Sequence, residues 1–314
     1  MNEQFGILFT SRNNYELLDQ WCSCIDTEGY YILNIDEDST DEQKELGKEV
    51  CKKHNITYRD REERGMQFNL KTAAQHFEAK NFPWILYFSH DCFPKGDGFF
   101  TKLDTYLNTK DLSEFGVVGF NILHTREDIA DYDGDNTPLR NTARTPLEPG
   151  DMYYRHHGYW PNTRVRYDEK FNKPFAVEII MWTAGLLNIA KFNEHVEPTG
   201  EYHMFHSWDD MCFQFLKNNV YNIVLPKFCM AHDQSKKVSF GIPESSPNCD
   251  IQTRQHFYSK SNHLEVWKKR WGFSWDYPQS LIEFKKIEDR YTDTLIMDFS
   301  KHDPINGPLK TFDL

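Results

Sequence analysis

Four short stretches of this 314-residue sequence carry side chains able to do chemistry, and each adjoins an apolar run. In ILNIDEDSTDEQ, residues 32 to 43, Asp36, Glu37, Asp38 and Asp41 crowd around Ser39 and Thr40. WILYF is followed by Ser89-His90-Asp91, a helical stretch WDDMCFQFLKNN contains Asp209-Asp210, and YNIVLPKFCMAHD ends close to His232. A carboxylate can accept from a base N–H or a ribose hydroxyl, or take the proton of an attacking hydroxyl. An imidazole nitrogen can bind a metal. Each stretch also has a structural reading. Thr40 or Asp41 suits a helix N-cap, Asp209 and Asp210 suit the positive end of a helix, and His232 suits a hydrogen-bonded core position.

The elements that must position these residues can be read from periodicity. FGILFT, YYILNI, ITYR and PWILYF are short apolar runs, separated by helical patterns over NNYELLDQWCSCI, DEQKELGKEVCKK and MQFNLKTAAQHFEAK. Such alternation predicts an α/β domain with a mostly parallel sheet flanked by helices. Thr10-Ser11-Arg12, Asp36 and Ser89-His90-Asp91 then lie at three strand tips on one edge, where open α/β sheets bind ligands. A helix over FFTKLDTYLNT and a strand over FGVVGFNI precede a polar span, about 123 to 172, that reads as a flap. Within it, RHHGYW carries Trp160, an aromatic that can anchor the loop or stack on a ligand. Regular structure returns with FAVEIIMWTAGLL, the WDDMCFQFLKNN helix and the YNIVLP strand, and the tail holds one more helix, NHLEVWKKRWG.

Composition excludes several classes. Aromatic residues make up 15% of the chain, which marks a globular protein despite a mean hydropathy of -0.72. The formal charge is -12 and the basic residues are scattered, so nonspecific nucleic-acid binding is not expected. Seven widely spaced cysteines read as reduced core thiols of a cytoplasmic protein. No signal peptide is evident and the longest apolar stretch, IIMWTAGLLNIA, is too short to span a bilayer. GxGxxG, GxxxxGK[ST] and GxSxG motifs are absent, which removes dehydrogenase, P-loop and nucleophile-elbow readings.

The spaced segments resemble glycosyltransferase family 2, whose members have the GT-A fold. ILFTSRNNYELLDQW is similar to that family's first strand and helix, IDEDSTDE to its V-D-x-x-S-x-D segment, and WILYFSHDCFP to its fourth strand and metal-binding D-x-D, with Ser89 in place of the first acid. WTAGLLNIAKF resembles the acceptor-side glycine-rich segment, WDDMCFQFLKNNVYNIVLP the E-D helix, and MAHD the late histidine. Gly65 and Asn69 resemble a glycine and an asparagine that follow the third strand, at a shorter spacing.

The resemblance implies a catalytic domain over 1–245, made of a nucleotide-binding half (1–120), a flap (121–175) and an acceptor half (176–245), with an extension over 246–314. It implies a nucleotide-diphosphate sugar as donor, a hydroxyl acceptor, and inverting transfer with Asp210 as base and Asp209 as fallback. Thr10, Arg12, Asp36 and Ser89 would bind the nucleotide. Asp91 and His232 would hold Mn²⁺ or Mg²⁺, and Trp160, Gly185 and Trp208 would meet the sugar or acceptor. Two other classes stay open: a nucleotidyltransferase, and a noncatalytic nucleotide- or carbohydrate-binding descendant of the fold.

Overall fold

The structure, a computed structural model, describes residues 4–123, 129–130, 132–134, 173–177, 180, 183–202, 206–232, 262–271 and 312–314. Within them, nine strands form one mixed sheet: β1 (Phe5–Ser11), β2 (Ile32–Asp36), β3 (Thr57–Asp60), β4 (Trp84–Phe88), β5 (Cys92–Pro94), β6 (Phe115–Leu123), β7 (Phe175–Val177), β8 (Ala184–Asn188) and β9 (Tyr221–His232). Their order is β3-β2-β1-β4-β8-β6-β9-β5, with β7 also on β9. β3, β2, β1, β4, β6 and β9 share one direction, and β8, β5 and β7 run against them. The expected α/β architecture is present. Strands buried on both faces read as continuous apolar runs, which is why β1, β2, β4 and β6 were visible in the sequence.

Seven helices are described: α1 (Tyr15–Cys24), α2 (Asp41–Lys53), α3 (Met66–Glu78), α4 (Phe99–Thr109), α5 (Ile189–His195), α6 (Ser207–Lys217) and α7 (His263–Trp271). Phe77 of α3, Phe192 of α5, Phe213 of α6 and Trp267 of α7 belong to the core on one face of the sheet. Trp21 of α1, Val50 of α2 and Leu103 of α4 belong to the core on the other. The chain beyond 246 therefore contributes to the main core through Trp267, which is fully buried against Phe213 at 5.1 Å between ring centroids.

Two elements lack a signal in the sequence. β5 is three residues long and exists because Cys92, Phe93 and Pro94 pair with His232, Ala231 and Met230. α5 begins where the apolar run AGLLNIA was continuous; the Asn188 side chain caps it by accepting from the Lys191 N–H at 3.1 Å. The cysteines are free thiols where described, and Cys24 is exposed rather than in the core.

α2 carries the acidic stretch. The Thr40 hydroxyl accepts from the Gln43 N–H at 3.4 Å, Asp41 and Glu42 occupy the first turn, and Lys52 and Lys53 the last, matching the helix dipole. In mid-helix, Gly47 lies against Tyr15, so that an added Cβ would meet its ring carbons at 2.4 to 2.6 Å. Gly47→Ala, favourable by about 1 kcal/mol in an ordinary helix interior, is expected instead to lower stability by about 1–3 kcal/mol through overpacking. Urea denaturation measures it; a stabilised variant would show that Tyr15 yields without cost.

Candidate active site

Three parallel strand tips and the end of β9 build a polar edge. The Asp36 carboxylate at the tip of β2 is 1% exposed. Its Oδ2 accepts from the Tyr15 hydroxyl at 2.6 Å and its Oδ1 from the Ser39 N–H at 3.0 Å. Burial, followed by the hydrogen bond to Asp36, holds the Tyr15 hydroxyl well above its ordinary pKa, so it stays a donor. Asp36 thus shapes the tip from beneath and has little surface of its own for a ligand.

A hydrogen-bonded chain links this tip to β4. Asn14 Nδ2 donates to His90 Nδ1 at 3.1 Å, which leaves the ring proton on Nε2, facing Ser11 Oγ at 2.9 Å. Ser11 Oγ donates to Asn34 Oδ1, Asn34 Nδ2 donates to the Tyr15 oxygen at 3.3 Å, and Tyr15 donates to Asp36. His90 stands in the turn between β4 and β5, closed by the Cys92 N–H on the Ser89 carbonyl at 3.0 Å, and its ring lies on the α1 side of the sheet, 5.3 Å from the Phe9 ring.

Next to Asp36 lies Glu37, half-buried, which in the sequence is one acid of the cluster at residues 36 to 41. Asn69 Nδ2 donates to its Oε1, and the guanidinium groups of Arg61 and Arg12 bear on it; burial nonetheless keeps its pKa raised. Asn69 stands in the first turn of α3, whose N-cap Gly65 has φ +118° and a Cβ position only 3.0 Å from Gly200 Cα. Only glycine accommodates both constraints. Thr10 hydrogen-bonds to Tyr87, whose hydroxyl lies under the influence of both Glu37 and Asp91. Burial, opposed by the Thr10 bond, raises the Tyr87 pKa. Arg12 is exposed on the same edge.

Asp91 and His232 meet because β5 pairs with β9. His232 Nε2 lies 3.2 Å from Asp91 Oδ2, Ser89 Oγ donates to Asp91 Oδ1 at 2.6 Å, and Asp91 and His232 are both nearly buried. Among the described residues no group of three or more His, Cys, Asp or Glu side chains could hold a metal ion. One carboxylate and one imidazole fit a cation that takes the rest of its shell from phosphates and water, and do not fit one caged by protein.

Asp209 and Asp210 open α6 in different environments. Asp209 is 9% exposed and its Oδ2 accepts from His206 Nδ1 at 2.9 Å. Asp210 is 0% exposed. Gln67 Nε2 at 2.9 Å and Gln214 Nε2 at 2.7 Å donate to its Oδ2; the Tyr202 hydroxyl at 3.1 Å, Trp271 Nε1 at 2.8 Å and Arg270 Nε at 3.0 Å donate to its Oδ1. Burial raises the Asp210 pKa, against the Arg270 charge and the Gln67, Trp271 and Gln214 bonds that lower it. The WKKRWG run, without a chemical role in the sequence, thus supplies two of the five donors.

Two residues expected to meet the sugar or acceptor are buried. Trp208 is 2% exposed and packs at 5.5 Å on Tyr87. Gly185 is buried in β8 opposite Tyr87, and a Cβ there would meet the Val118 carbonyl at 3.2 Å. Neither offers a surface to a sugar, because each fills space inside the sheet or beneath it. Trp160 lies outside the described residues.

No family model and no curated protein sequence matches the chain. Among solved structures it is similar to GalNAc-T7 crystallised with UDP, GalNAc and Mn²⁺, with a TM-score of 0.51 and 13% identity over 88% of this chain and 58% of that one. The chain has the GT-A fold. Weaker likenesses are to a mannosyltransferase of Pyrobaculum calidifontis in complex with GDP-Man and Mn²⁺ (TM-score 0.47, 11% identity, 78% of this chain and 59% of that one) and to S. aureus TarS 1-349 in complex with UDP-GlcNAc (0.45, 11%, 93% and 80%). The chain spans under two thirds of the length of the first two. In this GT-A fold the strand tips, Asp91 with His232, and the start of α6 are the chemically equipped regions.

Removing one partner from a buried charge leaves the other uncompensated. Arg270→Ala is expected to cost about 2 kcal/mol, below the value for a fully buried pair because Arg270 is a quarter exposed. Added to Asp210→Asn it should cost less than the sum of the single changes. A denaturation double-mutant cycle checks this; strict additivity would separate the two residues energetically.

Proposed function

We propose that this chain is a glycosyltransferase that moves a sugar from a nucleoside-diphosphate sugar to a hydroxyl acceptor by a single inverting displacement. The observation carrying the proposal is that one sheet edge of a GT-A fold joins polar strand tips to the Asp91–His232 pair. Thr10, Arg12 and Glu37 contact the nucleoside, with Asn69 fixing Glu37. Asp36 and Ser89 act from behind, as the holders of the β2 tip and of Asp91. Asp91 and His232 would hold a divalent cation, Mn²⁺ or Mg²⁺, which supplies charge neutralisation to the departing diphosphate.

The Asp209–Asp210 pair supplies the base. A base must come within hydrogen-bond reach of the hydroxyl it deprotonates. Asp209 is the member reached with α7 seated, and His206 fixes its carboxylate. The acceptor oxygen attacks the anomeric carbon, its proton passes to Asp209, and the bond from that carbon to the diphosphate oxygen breaks. Asp210, the residue favoured from sequence, is the alternative base and is enclosed by its five donors. A second reading, a noncatalytic nucleotide-binding descendant, is favoured by that same sealed carboxylate and by Ser89 in place of an acid.

Thermal-shift titration with UDP, GDP, CDP and dTDP, each with and without Mn²⁺, tests the donor site, since a ligand of the folded state raises the midpoint by mass action. One base should give a shift that Mn²⁺ enlarges, and the matching nucleotide sugar should then be hydrolysed or transferred. Binding without any turnover favours the noncatalytic reading; no shift with any nucleotide rejects both.

Asp209→Asn is expected to reduce transfer by about 100-fold or more at an unchanged midpoint. Asp210→Asn should chiefly lower the midpoint, since it leaves Arg270 beside a neutral group. Loss of transfer in Asp210→Asn at an unchanged midpoint would move the base to Asp210.

A further inference from the structure

A second equipped cavity lies away from the strand tips, between α4 and β9. It encloses about 530 Å³, within the range of small-molecule sites. β9 forms it by leaving its ladder. Leu225 pairs with Phe120 and Cys229 with Asn121, so Pro226, Lys227 and Phe228 are extra residues that bulge outward. Phe228 turns onto α4, its ring 5.7 Å from Phe99 and 5.5 Å from Tyr106. On α4 and its C-cap, residues 99, 102, 106 and 110 follow helical spacing, placing Phe, Lys, Tyr and Lys in one row along the cavity.

The charged side chains that line the cavity, beside Leu314 and the aromatic rings, are all basic. Lys95, Lys102, Lys110 and Lys227 all line the cavity, and no Asp or Glu side chain does so among the described residues. Lys95 lies 5.3 Å above the Tyr132 ring. Lys102, Lys110 and Lys227 have no carboxylate partner among the described residues, in a chain of net charge -12 where acids outnumber bases. Like charges gathered around one cavity repel unless an anion joins them. An aromatic floor, in turn, is served by an apolar body rather than by a bare ion.

We propose that this cavity binds an amphipathic phosphate, with the head group among the four lysines and an apolar body over Phe99, Tyr106 and Phe228. Four ammonium groups suit a phosphate, which carries up to two charges and accepts from several point-charge donors at once, better than a single carboxylate. The cavity is coupled to the candidate active site by covalent structure: Lys95 follows β5 directly, its N–H bonded to the Cys229 carbonyl at 3.0 Å, and Asp91 precedes β5. Asp91 and Lys95 are therefore at most about 13 Å apart along the chain. The proposal does not depend on the glycosyltransferase reading.

Isothermal titration with monododecyl phosphate below its micellar concentration tests it, with n-dodecyl maltoside and inorganic phosphate as controls. The alkyl phosphate should bind more tightly than either control. The double variant Lys102→Glu/Lys227→Glu, at exposed positions, should weaken it by about tenfold or more, while the thermal midpoint and the shifts given by nucleotides stay unchanged. Equal binding of maltoside would reduce the cavity to an apolar groove, equal binding of inorganic phosphate would reduce it to surface lysines, and an unaffected double variant would remove the lysines from recognition; each overturns the proposal. Sedimentation with phosphatidylcholine vesicles, with and without phosphatidic acid, separates the sources. Lysine-dependent pelleting with the acidic vesicles identifies a lipid head group, and its absence alongside intact titration identifies a soluble phosphate ester.

Discussion

The Asp210 carboxylate is the constraint around which one half of the molecule is arranged. A charge without solvent exposure is tolerated only when donors replace the lost water. Here five donors come from α3, from the segment before α6, from α6 itself and from α7. Gln67 does more than pair with the acid: its Oε1 accepts from the Thr199 N–H at 2.8 Å and its amide also donates to the Ser207 carbonyl at 2.6 Å. The start of α6 is thereby fixed against α3, and with it Asp209 and Trp208. Trp208 in turn backs Tyr87, which stands between Thr10, Glu37 and Asp91. The buried acid and the strand tips thus share a continuous packed layer through Trp208 and Tyr87.

The strand tips depend on a second polar system that runs from Asn14 through His90, Ser11, Asn34 and Tyr15 to Asp36. Its members are mostly buried, and each finds a partner of opposite hydrogen-bonding character. Satisfied networks of this kind hold one geometry, since any displaced member leaves an unpaired group in a low-dielectric interior. The exposed groups of the edge, Arg12 and Glu37 among them, rest on this layer.

Legibility in the sequence followed burial pattern and chain locality. The parallel strands were legible because burial on both faces demands apolar runs, and α1, α2 and α3 because their cores repeat every three or four residues. β5 was not, since three residues carry no periodicity and its pairing partner lies about 140 positions away. Asp91 and His232 were each recognisable as candidates, and their meeting depends on that pairing. Glu37 was visible only as one acid among four; what distinguishes it is Asn69, brought in by a helix more than thirty residues later. The burial of Trp208 was not legible, because an aromatic beside two acids looks the same in sequence whether it faces a ligand or a core.

By itself, the sequence determined the α/β class, the placing of acids at strand ends, and the helix that opens with Asp209 and Asp210. Those features arise from local rules: apolar period, capping, and the change from strand to helix. Tertiary structure alone decided that Asp210 is enclosed while Asp209 keeps a little exposure, that Arg270 and Trp271 reach Asp210, and that four lysines line one aromatic cavity. Burial and partnership are properties of distance in space, and for these residues the partners lie far apart along the chain.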